Sequence, residues 1–381
     1  MTEKKRHIAH VIYRFDTGGL ENGLVNLINS LPEHEYQHSI VTHKGANPDF
    51  AKRVTVKNVR YYDLNKGEGN DIGVLWRLNR LLKRLNPDVL HTRNLATLEG
   101  QLVGWWRKIP LRIHGEHGWG VNDLGGVNIK YQRLRRLFRP FVHQYVALSA
   151  EAKEYLLDKI GVTASKVAHI CNGVDTERFA STQRLHTPLP EIFLPQDCVV
   201  FGTVGRLAEV KNQAYLIDAF AELLKMLPSH RDRIALMLVG DGVTRIRLQK
   251  RVVETGIEDR VWFAGDRADV PALMQSMDVF VLPSLAEGIS NTVLEAMATG
   301  LPVLATNVGG NPDLIMPEYV RDHLVPVGEP QRLAEMMARY ALQPQLAESD
   351  GYQIQAYCQS RFSLASMVAK YHAIYRQVDK D

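Results

Sequence analysis

Cysteine is scarce in this chain, and its scarcity argues against two kinds of structural site. The 381 residues contain three cysteines, Cys171, Cys198 and Cys358, which are far apart and show no Cys-x-x-Cys or Cys/His spacing. An odd number of scattered cysteines predicts neither a disulfide framework nor a structural zinc site, and it fits a reducing compartment.

Long hydrophobic runs are also missing. No stretch approaches the ~18 consecutive apolar residues that are typical of a membrane-spanning helix. The first residues, MTEKKRHIAHVIYRF, have a basic start but lack the apolar core and the small-residue cleavage site of a signal peptide. The sequence therefore predicts a cytoplasmic protein.

Several active-site signatures are absent. The first predicted strand is not followed by GxGxxG, and neither GxxxxGK[ST] nor GxSxG occurs, so dinucleotide-binding, P-loop and hydrolase readings lose support. No Asp-x-Asp follows a predicted strand, so a two-carboxylate site for a metal-bound nucleotide is not expected, and we predict no metal site.

The composition is that of a globular enzyme with an uneven charge. Hydrophobic residues make up 45% and charged residues 23%, and the length suggests two or three domains. Residues 1–185 hold 28 Lys and Arg against 18 Asp and Glu, a net +10, whereas residues 186–381 hold 18 against 24, a net −6. This asymmetry suggests an anionic partner for the first half; the alternative is an ordinary solvated surface.

Short apolar runs alternate with longer helical patterns, which predicts an α/β fold with parallel sheets. Strands are predicted at 7–13, 39–42, 88–91, 111–114, 145–148, 199–204, 234–239, 261–263, 279–282 and 303–305. Helices are predicted at 20–31, 72–85, 150–158, 213–227 and 364–378. The region 176–197 resembles a linker, so the simplest architecture is two α/β domains with a cleft.

Two glutamates eight residues apart mark the most informative stretch. Glu287 lies between the predicted strand 279–282 and a helix, and Glu295 lies inside that helix. Gly288 and Ser290-Asn291 permit a turn and a helix cap, and Ile289 lies between them. Helices that start at the carboxyl end of a strand direct free backbone N–H groups toward anions. We therefore expect an anion at this helix start, with a carboxylate on either side.

Three glycine-containing turns supply further candidates. Arg206 and Lys211 follow the strand 199–204 and can grip a diphosphate, although such cations are often merely solvated. Gly240 follows another strand and is a candidate for the cleft lining or a plain turn. Gly18 and Gly19 follow the first strand, where a backbone without side chains can approach a ligand, or simply form a tight turn.

His117 is the candidate acid–base or hydrogen-bonding residue. It follows the strand 111–114 in the stretch IHGEHGWG, whose glycines keep the loop open. A histidine there can hydrogen-bond a substrate or a developing charge near neutral pH. The alternative is that His117 is a surface histidine whose hydrogen bonds are already satisfied. His114 lies nearer the strand and is interpreted as structural.

A basic amphipathic stretch at 130–140 is a candidate membrane-binding helix. It reads KYQRLRRLFRP, in which apolar side chains alternate with Lys130, Arg133, Arg135, Arg136 and Arg139. The alternative is a solvated helix face. Nucleic acid is not expected as a partner, because the basic residues lack an aromatic stacking platform.

Taken together, these residues resemble the GT-B glycosyltransferases of the retaining family 4. The resemblance rests on EGISNTVLEAMATGLPVLAT at 287–306, GRLAEVK at 205–211, VGDG at 239–242, NGVD at 172–175, DVFVLPS at 278–284 and the early Gly18-Gly19, in the family's order. The stretch HGEHGWG is further similar to members that add sugars to exopolysaccharide or lipid-linked glycans, including those associated with exosortase systems.

The resemblance implies a role for each residue. Arg206 and Lys211 would bind the diphosphate of a UDP- or GDP-sugar, and Glu295 would bind the ribose. Glu287 would contact the donor sugar, and His117 would lie near the reacting carbon. The phosphate cradle would comprise the backbone amides of Gly288, Ile289, Ser290 and Asn291, with Gly19 approaching from the other domain.

The resemblance also implies the mechanism and the domains. The departing phosphate would help to deprotonate the acceptor on the same face, without a metal ion and with retained anomeric configuration. Residues 1–185, joined by 364–381, would form an acceptor-side Rossmann-like domain, and residues 186–363 a nucleotide-sugar domain across a central cleft. The acceptor would be a glycan or a polyprenyl-linked sugar, met by a peripheral protein on the inner membrane.

Two other functions stay open at this point. A non-hydrolysing nucleotide-sugar epimerase shares the two-domain fold and would need no acceptor. A nucleotide-sugar-binding protein without catalysis is the non-enzymatic alternative, although the glutamate pair, the cations and His117 argue against it.

Overall fold

The computed structural model describes residues 5–69, 71–118, 123–179, 189–190 and 198–380. The chain divides into two compact units, the first comprising Met1–Gly173 with Leu364–Asp381 and the second comprising Val174–Ser363. The boundary predicted at 185/186 lies outside the described residues, and the units divide earlier. Most of the predicted linker at 176–197 also lies outside them, and its first four residues form a short helix.

The first unit is built on a parallel sheet. Its strands are β1 Arg6–Ile12, β2 Tyr36–Thr42, β3 Val59–Asp63, β4 Val89–Arg93, β5 Leu111–Glu116, β6 Gln144–Ala147 and β7 Val167–His169. They lie in the order β3-β2-β1-β4-β5-β6-β7. β4 and β5 are buried along their whole length, as expected for parallel strands covered on both faces. Their polar residues therefore need partners inside the protein.

The helices of the first unit connect these strands. They are α1 Gly19–Ser30, α2 Pro48–Ala51, α3 Gly73–Leu85, α4 Gly100–Trp106, α5 Ile129–Phe138, α6 Ala150–Glu154 and, from the end of the chain, α16 Leu364–Tyr375. Met367, Tyr371 and Ile374 of α16 pack in one core with Ile8 and Val89 of the sheet. The predicted return of the last helix to the first unit is therefore confirmed.

The second unit repeats the architecture. Its strands are β8 Val199–Val204, β9 Ile234–Val239, β10 Val261–Gly265, β11 Val279–Leu282, β12 Val303–Thr306 and β13 Leu324–Val325, in the order β10-β9-β8-β11-β12-β13. All their pairings are parallel. The core centres on β8, β9 and the helices that follow, with Phe201, Phe220, Leu236 and Tyr340 fully buried.

The helices of the second unit include the one predicted to carry the glutamate pair. They are α7 Thr176–Phe179, α8 Gln213–Met226, α9 Arg245–Thr255, α10 Val270–Met274, α11 Asn291–Thr299, α12 Asn311–Leu314, α13 Val320–His323, α14 Pro330–Leu342 and α15 Gln345–Phe362. α11 begins after its cap, Ser290, and ends at Gly300, which adopts the left-handed conformation that suits glycine. The predicted α/β fold with two Rossmann-like sheets is confirmed.

Candidate functional site

The candidate site of the second unit lies where the strand order reverses. β8 is the first strand of its sheet, and β9 and β11 flank it on opposite sides. Open parallel sheets bind ligands at the carboxyl ends of the strands at this switch point. The loop after β8 and the loop after β11 meet there, because the amide of Leu285 donates to the carbonyl of Val210 at 2.8 Å.

Lys211 and Glu287 form an ion pair at this point. Lys211 Nζ donates to Glu287 Oε1 at 2.6 Å, and Ser284 Oγ donates to the same oxygen at 2.6 Å. The side chain of Lys211 is 25% exposed and that of Glu287 is 9% exposed. Ser284 therefore fixes the carboxylate of the pair, while the ammonium group of Lys211 stays partly accessible to solvent. The sequence did not predict this ion pair.

Arg206 shares the loop with Lys211. Its backbone carbonyl accepts from Gln213 Nε2 at 3.1 Å, which ties the loop to the first turn of α8. Its side chain is exposed, so the guanidinium is available to an anion as a bidentate donor.

The start of α11 is fixed by its own side chains. Ser290 caps the helix by accepting from the amide of Val293 at 3.4 Å, and Ile289 and Ser290 are buried. The carbonyl of Gly288 accepts from the amide of Gly310 at 2.8 Å. Because the first turn of a helix leaves N–H groups without intrahelical acceptors, the loop presents donors from a rigid support. Asn291 opens the helix, and Glu295 lies in its second turn.

Two glycines allow the loops to approach each other closely. Gly309 has φ +53°, and a Cβ there would overlap the backbone oxygen of Glu287. Gly240 has φ +130°, and a Cβ there would overlap the backbone oxygen of Gly205. Gly309 and Ser284 therefore support Glu287 directly; the sequence suggested only a turn that lines the cleft for Gly309, and Ser284 was not among the predicted site residues. Their signal in the sequence is only their position in the loops that follow β12 and β11.

Gly18 and Gly19 lie in the first unit, where α1 begins at Gly19 after the extended residue Gly18. A Cβ at Gly18 would overlap the end of the Glu21 side chain, which is flexible. Burial raises the pKa of Glu21. The turn therefore carries a carboxyl group that the sequence did not single out.

His117 follows β5 in the first unit, and its environment differs from the expectation. Its amide donates to Asn94 Oδ1 at 2.7 Å, whereas both ring nitrogens are buried and have no partner among the described residues. Burial, with Arg93 and His114 nearby, lowers the pKa of His117 to about 3. The imidazole is therefore neutral near pH 7 rather than titrating there. The predicted open loop continues into residues 119–122, outside the described residues.

Glu116 and Arg135 form a buried ion pair beside His117. Arg135 Nε donates to Glu116 Oε1 at 2.7 Å, and its Nη1 donates to Asp123 Oδ2 at 3.3 Å. Burial alone would raise the pKa of Glu116, but Arg135 and His114 hold it at about 2. The prediction that Arg135 faces a membrane from the basic helix is therefore wrong, because its guanidinium anchors α5 to β5. His114, whose Nδ1 lies 2.7 Å from Thr92 Oγ1, is buried as expected.

One stretch of the sequence has the HExxH spacing of zinc sites, but it does not form a zinc site in the structure. His34-Glu35-Tyr36-Gln37-His38 has the HExxH spacing, but Tyr36–Thr42 is strand β2, so the two histidines do not share a helix face. In the part of the chain that is described, no group of three or more His, Cys, Asp or Glu side chains could hold a metal ion.

The structure therefore assembles the predicted residues in two sets. Lys211, Glu287 and the start of α11 come together in the second unit, with Arg206 and Gly240 in adjoining loops. Gly18, Gly19 and His117 belong to the first unit. Among the described helices, none combines the length and apolarity that crossing a bilayer requires.

Comparisons with known proteins match both units. Residues 17–178 match the profile described as "Glycosyltransferase Family 4", and residues 198–342 match the one described as "Glycosyl transferases group 1". The chain is 30% identical over 256 residues to the UDP-Gal:alpha-D-GlcNAc-diphosphoundecaprenol alpha-1,3-galactosyltransferase of Escherichia coli, covering 65% of each protein. It is 24% identical to the putative glycosyltransferase EpsF of Bacillus subtilis (strain 168), covering 81% of this chain and 80% of EpsF.

A solved structure shows the same fold across both units. HepE of Anabaena, in complex with UDP and glucose, superposes with a TM-score of 0.78 at 20% sequence identity. The match covers 97% of this chain and 98% of HepE.

Proposed function

Because the chain belongs to glycosyltransferase family 4 and has the GT-B fold, we propose that it transfers a sugar from a nucleoside-diphosphate sugar to a lipid-linked or glycan acceptor. The predictions of family, fold and transferase class are confirmed. The epimerase and the inactive binding protein are not favoured, since both profiles and the named relatives are glycosyltransferases.

The donor is proposed to bind at the switch point of the second unit. The observation that carries this proposal is the partly exposed Lys211 ammonium, which Glu287 orients beside the start of α11. Cleavage of a sugar–phosphate bond leaves a diphosphate anion, and fixed cations and N–H groups aimed at that anion lower the barrier. Arg206 and Lys211 are proposed to offset its charge, and the amides of the 288–291 loop to cradle it.

The remaining site residues receive roles around the same donor. Glu295 is proposed to accept hydrogen bonds from the ribose hydroxyls, and Glu287 to contact the transferred sugar through Oε2, since its hydrogen bonds with Lys211 and Ser284 use Oε1. Gly240 and Gly19 are proposed to let backbone approach the diphosphate. A UDP-sugar is favoured over a GDP-sugar, because the galactosyltransferase relative is named for UDP-Gal and HepE was solved in complex with UDP.

Transfer is proposed to retain the anomeric configuration and to need no metal ion. The departing phosphate oxygen would take the proton of the acceptor hydroxyl as the new glycosidic bond forms on the same face of the sugar. His117 is proposed to contribute a neutral hydrogen bond to the transferred sugar. A neutral donor suits this role, because burial and Arg93 hold its pKa far below neutral.

The acceptor is proposed to be a sugar linked to polyprenyl diphosphate, in the assembly of an exopolysaccharide or another surface glycan. The galactosyltransferase relative is named for such an acceptor. The first unit carries the chain's excess of positive charge. It also exposes Trp76 on α3 and Trp105 and Trp106 on α4, and it contains the basic helix α5. Aromatic and basic side chains together favour the surface of an anionic bilayer.

One assay separates these possibilities. Purified protein is incubated with UDP-galactose, UDP-glucose or GDP-mannose, with and without GlcNAc-diphosphoundecaprenol, and the products are analysed by mass spectrometry and NMR. We expect acceptor-dependent transfer from a UDP-sugar, an α-linked product and full turnover in EDTA. Donor rearrangement without acceptor would indicate an epimerase, and binding without any product an inactive protein.

A further inference from the structure

Arg93, at the carboxyl end of β4, is a buried cation without a carboxylate partner. It is 3% exposed, and among the described residues no Asp or Glu oxygen lies within 4.0 Å of it. Its Nη1 lies 3.3 Å from His10 Nδ1 and its Nη2 lies 3.3 Å from His91 Nδ1. Glu21 attracts this cation only from beyond that distance. Because a buried charge without a hydrogen-bonded counterion is unfavourable, the position calls for an explanation other than stability.

The neighbours of His91 decide which of its nitrogens carries the proton. A guanidinium can only donate hydrogen bonds, and Arg93 faces Nδ1. The hydroxyl of Tyr375, on α16, lies 2.9 Å from the same nitrogen. Burial raises the pKa of Tyr375, so this hydroxyl keeps its proton and can donate. Because burial and Arg93 also keep His91 neutral, Nδ1 accepts and the ring proton lies on Nε2.

The resulting N–H group of His91 points into a space shared with His117. Nε2 of His91 is buried and has no acceptor among the described residues. A Cβ built on Gly115 would lie 3.4 Å from this nitrogen and would overlap Nε2 of His117. The two Nε2 atoms therefore occupy the same side of Gly115, where the missing side chain leaves room for both rings.

We propose that Arg93 and Tyr375 are positioning residues that hold His91 as its Nε2–H tautomer, so that His91 donates to Nε2 of His117 and His117 presents Nδ1–H to the substrate. In this structure the two Nε2 atoms lie on the same side of Gly115 without a hydrogen bond between them, so the proposal requires a rotation of the His117 ring that brings them together. The role toward substrate rests on the proposed function of His117; the tautomer of His91 does not.

The first test is spectroscopic and needs no turnover. Two-bond ¹H–¹⁵N correlation spectra of the full-length protein with ¹⁵N-histidine distinguish the tautomers of a neutral imidazole. His91→Gln and His117→Gln assign the two rings, and His43, a buried histidine of the same unit, serves as the internal control. We expect His91 as Nε2–H in the wild type and in Arg93→Lys, and a mixture of tautomers in Arg93→Met.

A wild-type His91 with its proton on Nδ1 would overturn the proposal. Unchanged His91 and His117 signals in Arg93→Met would also overturn it. If Arg93→Met does not fold, Arg93→Met is replaced by Tyr375→Phe, which removes the second donor and should weaken the preference for Nε2–H. No response of His91 to this change would then count against the proposal.

The second test uses turnover with UDP-galactose. The charged groups around His117 are Arg93 on β4 and Glu116 on β5, with His114 beside them. Loss of the Arg93 cation should raise the pKa of His117, so the acid limb of the kcat profile should move to higher pH in Arg93→Met and stay in place in Arg93→Lys. His91→Gln, whose amide nitrogen can replace Nε2–H, should keep kcat within about tenfold, whereas His91→Leu should lose about 10²-fold.

Equal losses of kcat in His91→Gln and His91→Leu, with no shift of the acid limb in Arg93→Met, would mean that His91 and Arg93 have only a structural role. If UDP-galactose supports no turnover in the wild type, the proposed function fails in that respect, and the spectroscopic test still decides the tautomer of His91.

Discussion

The two sheets reverse strand order in the same way, but the cations at the two points of reversal differ in burial and in partner. In the second unit, Lys211 is partly exposed and is paired with Glu287. In the first unit, the cation Arg93 is buried among neutral histidines. One arrangement suits an anion that arrives and leaves, and the other orients neutral hydrogen-bonding groups in a medium of low polarity. The shared topology therefore sets where chemistry happens but not which chemistry.

The largest expected effect compares a buried ion pair with an exposed one. Glu116→Gln breaks the pair with buried Arg135 in the first unit and should lower the free energy of unfolding by about 3–5 kcal/mol. Glu209→Gln breaks an exposed pair with Arg247 in the second unit and should leave the free energy of unfolding nearly unchanged, because solvent screens the pair. Urea denaturation at pH 7 measures both, and equal losses would contradict the contrast between the units.

The pH dependence of Glu116→Gln follows from the sign of the shift. The pKa of Glu116 falls from 4.5 to about 2 in the folded protein, so its stabilising contribution is complete above pH 4.5 and is lost as the pH falls toward 2. The difference between wild type and Glu116→Gln should therefore shrink over this range. A difference that stays constant from pH 6 to pH 2.5 would mean that the carboxylate charge is not the source of the stability.

The second effect concerns the leaving group. Lys211→Ala removes the partly exposed cation that is paired with Glu287 and should lower kcat by ~10²–10³-fold while the melting temperature changes little. Lys225→Ala, which breaks an exposed pair with Glu222 on α8, is the matched control and should leave kcat unchanged. Near-normal kcat in a folded Lys211→Ala protein would show that this cation does not meet the leaving diphosphate.

The third effect tests how tightly the loops of the second unit are held. Gly309→Ala places a methyl group against the backbone of Glu287 in a left-handed conformation, and it should cost about 2–4 kcal/mol of stability. Gly328→Ala has the same kind of conformation, φ +90°, but meets open space, so it should cost about 1–2 kcal/mol. Only Gly309→Ala should also weaken UDP binding, measured by calorimetry; equal effects of the two changes on UDP binding would separate Gly309 from the site.

The sequence predicted the second unit better than the first. Strands 199–204, 234–239 and 279–282 were predicted to the residue, because apolar runs between glycine turns carry the signal of buried parallel strands. The cap at Ser290 and the stop at Gly300 were equally readable. The missed strands are β3, an edge strand that is largely exposed, and β7 and β13, which have three and two residues; none of them has a long apolar run.

The burial and the pairing of the charged and titratable side chains could not be predicted from such patterns. The ion pair of Lys211 with Glu287 joins residues 76 positions apart in the sequence, and its partner choice depends on the pairing of β8 with β11. Arg135 looked like one more cation of an amphipathic helix, whereas Glu116, on a neighbouring strand, draws it inside. The sequence placed His117 in an open loop and does not show how deeply its ring nitrogens are buried.

The smallest expected effect separates the outer surfaces of the two units. Trp106→Ala removes a side chain of the first unit that is 73% exposed, and it should weaken binding to anionic liposomes at low salt roughly fivefold, or about 1 kcal/mol. Tyr352→Ala, an aromatic of the second unit that is 78% exposed, should leave sedimentation with the liposomes unchanged. Because the basic side chains contribute through charge, high salt should weaken binding further in both variants. Equal effects of the two substitutions, or no binding of the wild type at low salt, would contradict the proposed membrane-binding surface of the first unit. The positive charge of this unit would then be explained by the acceptor alone.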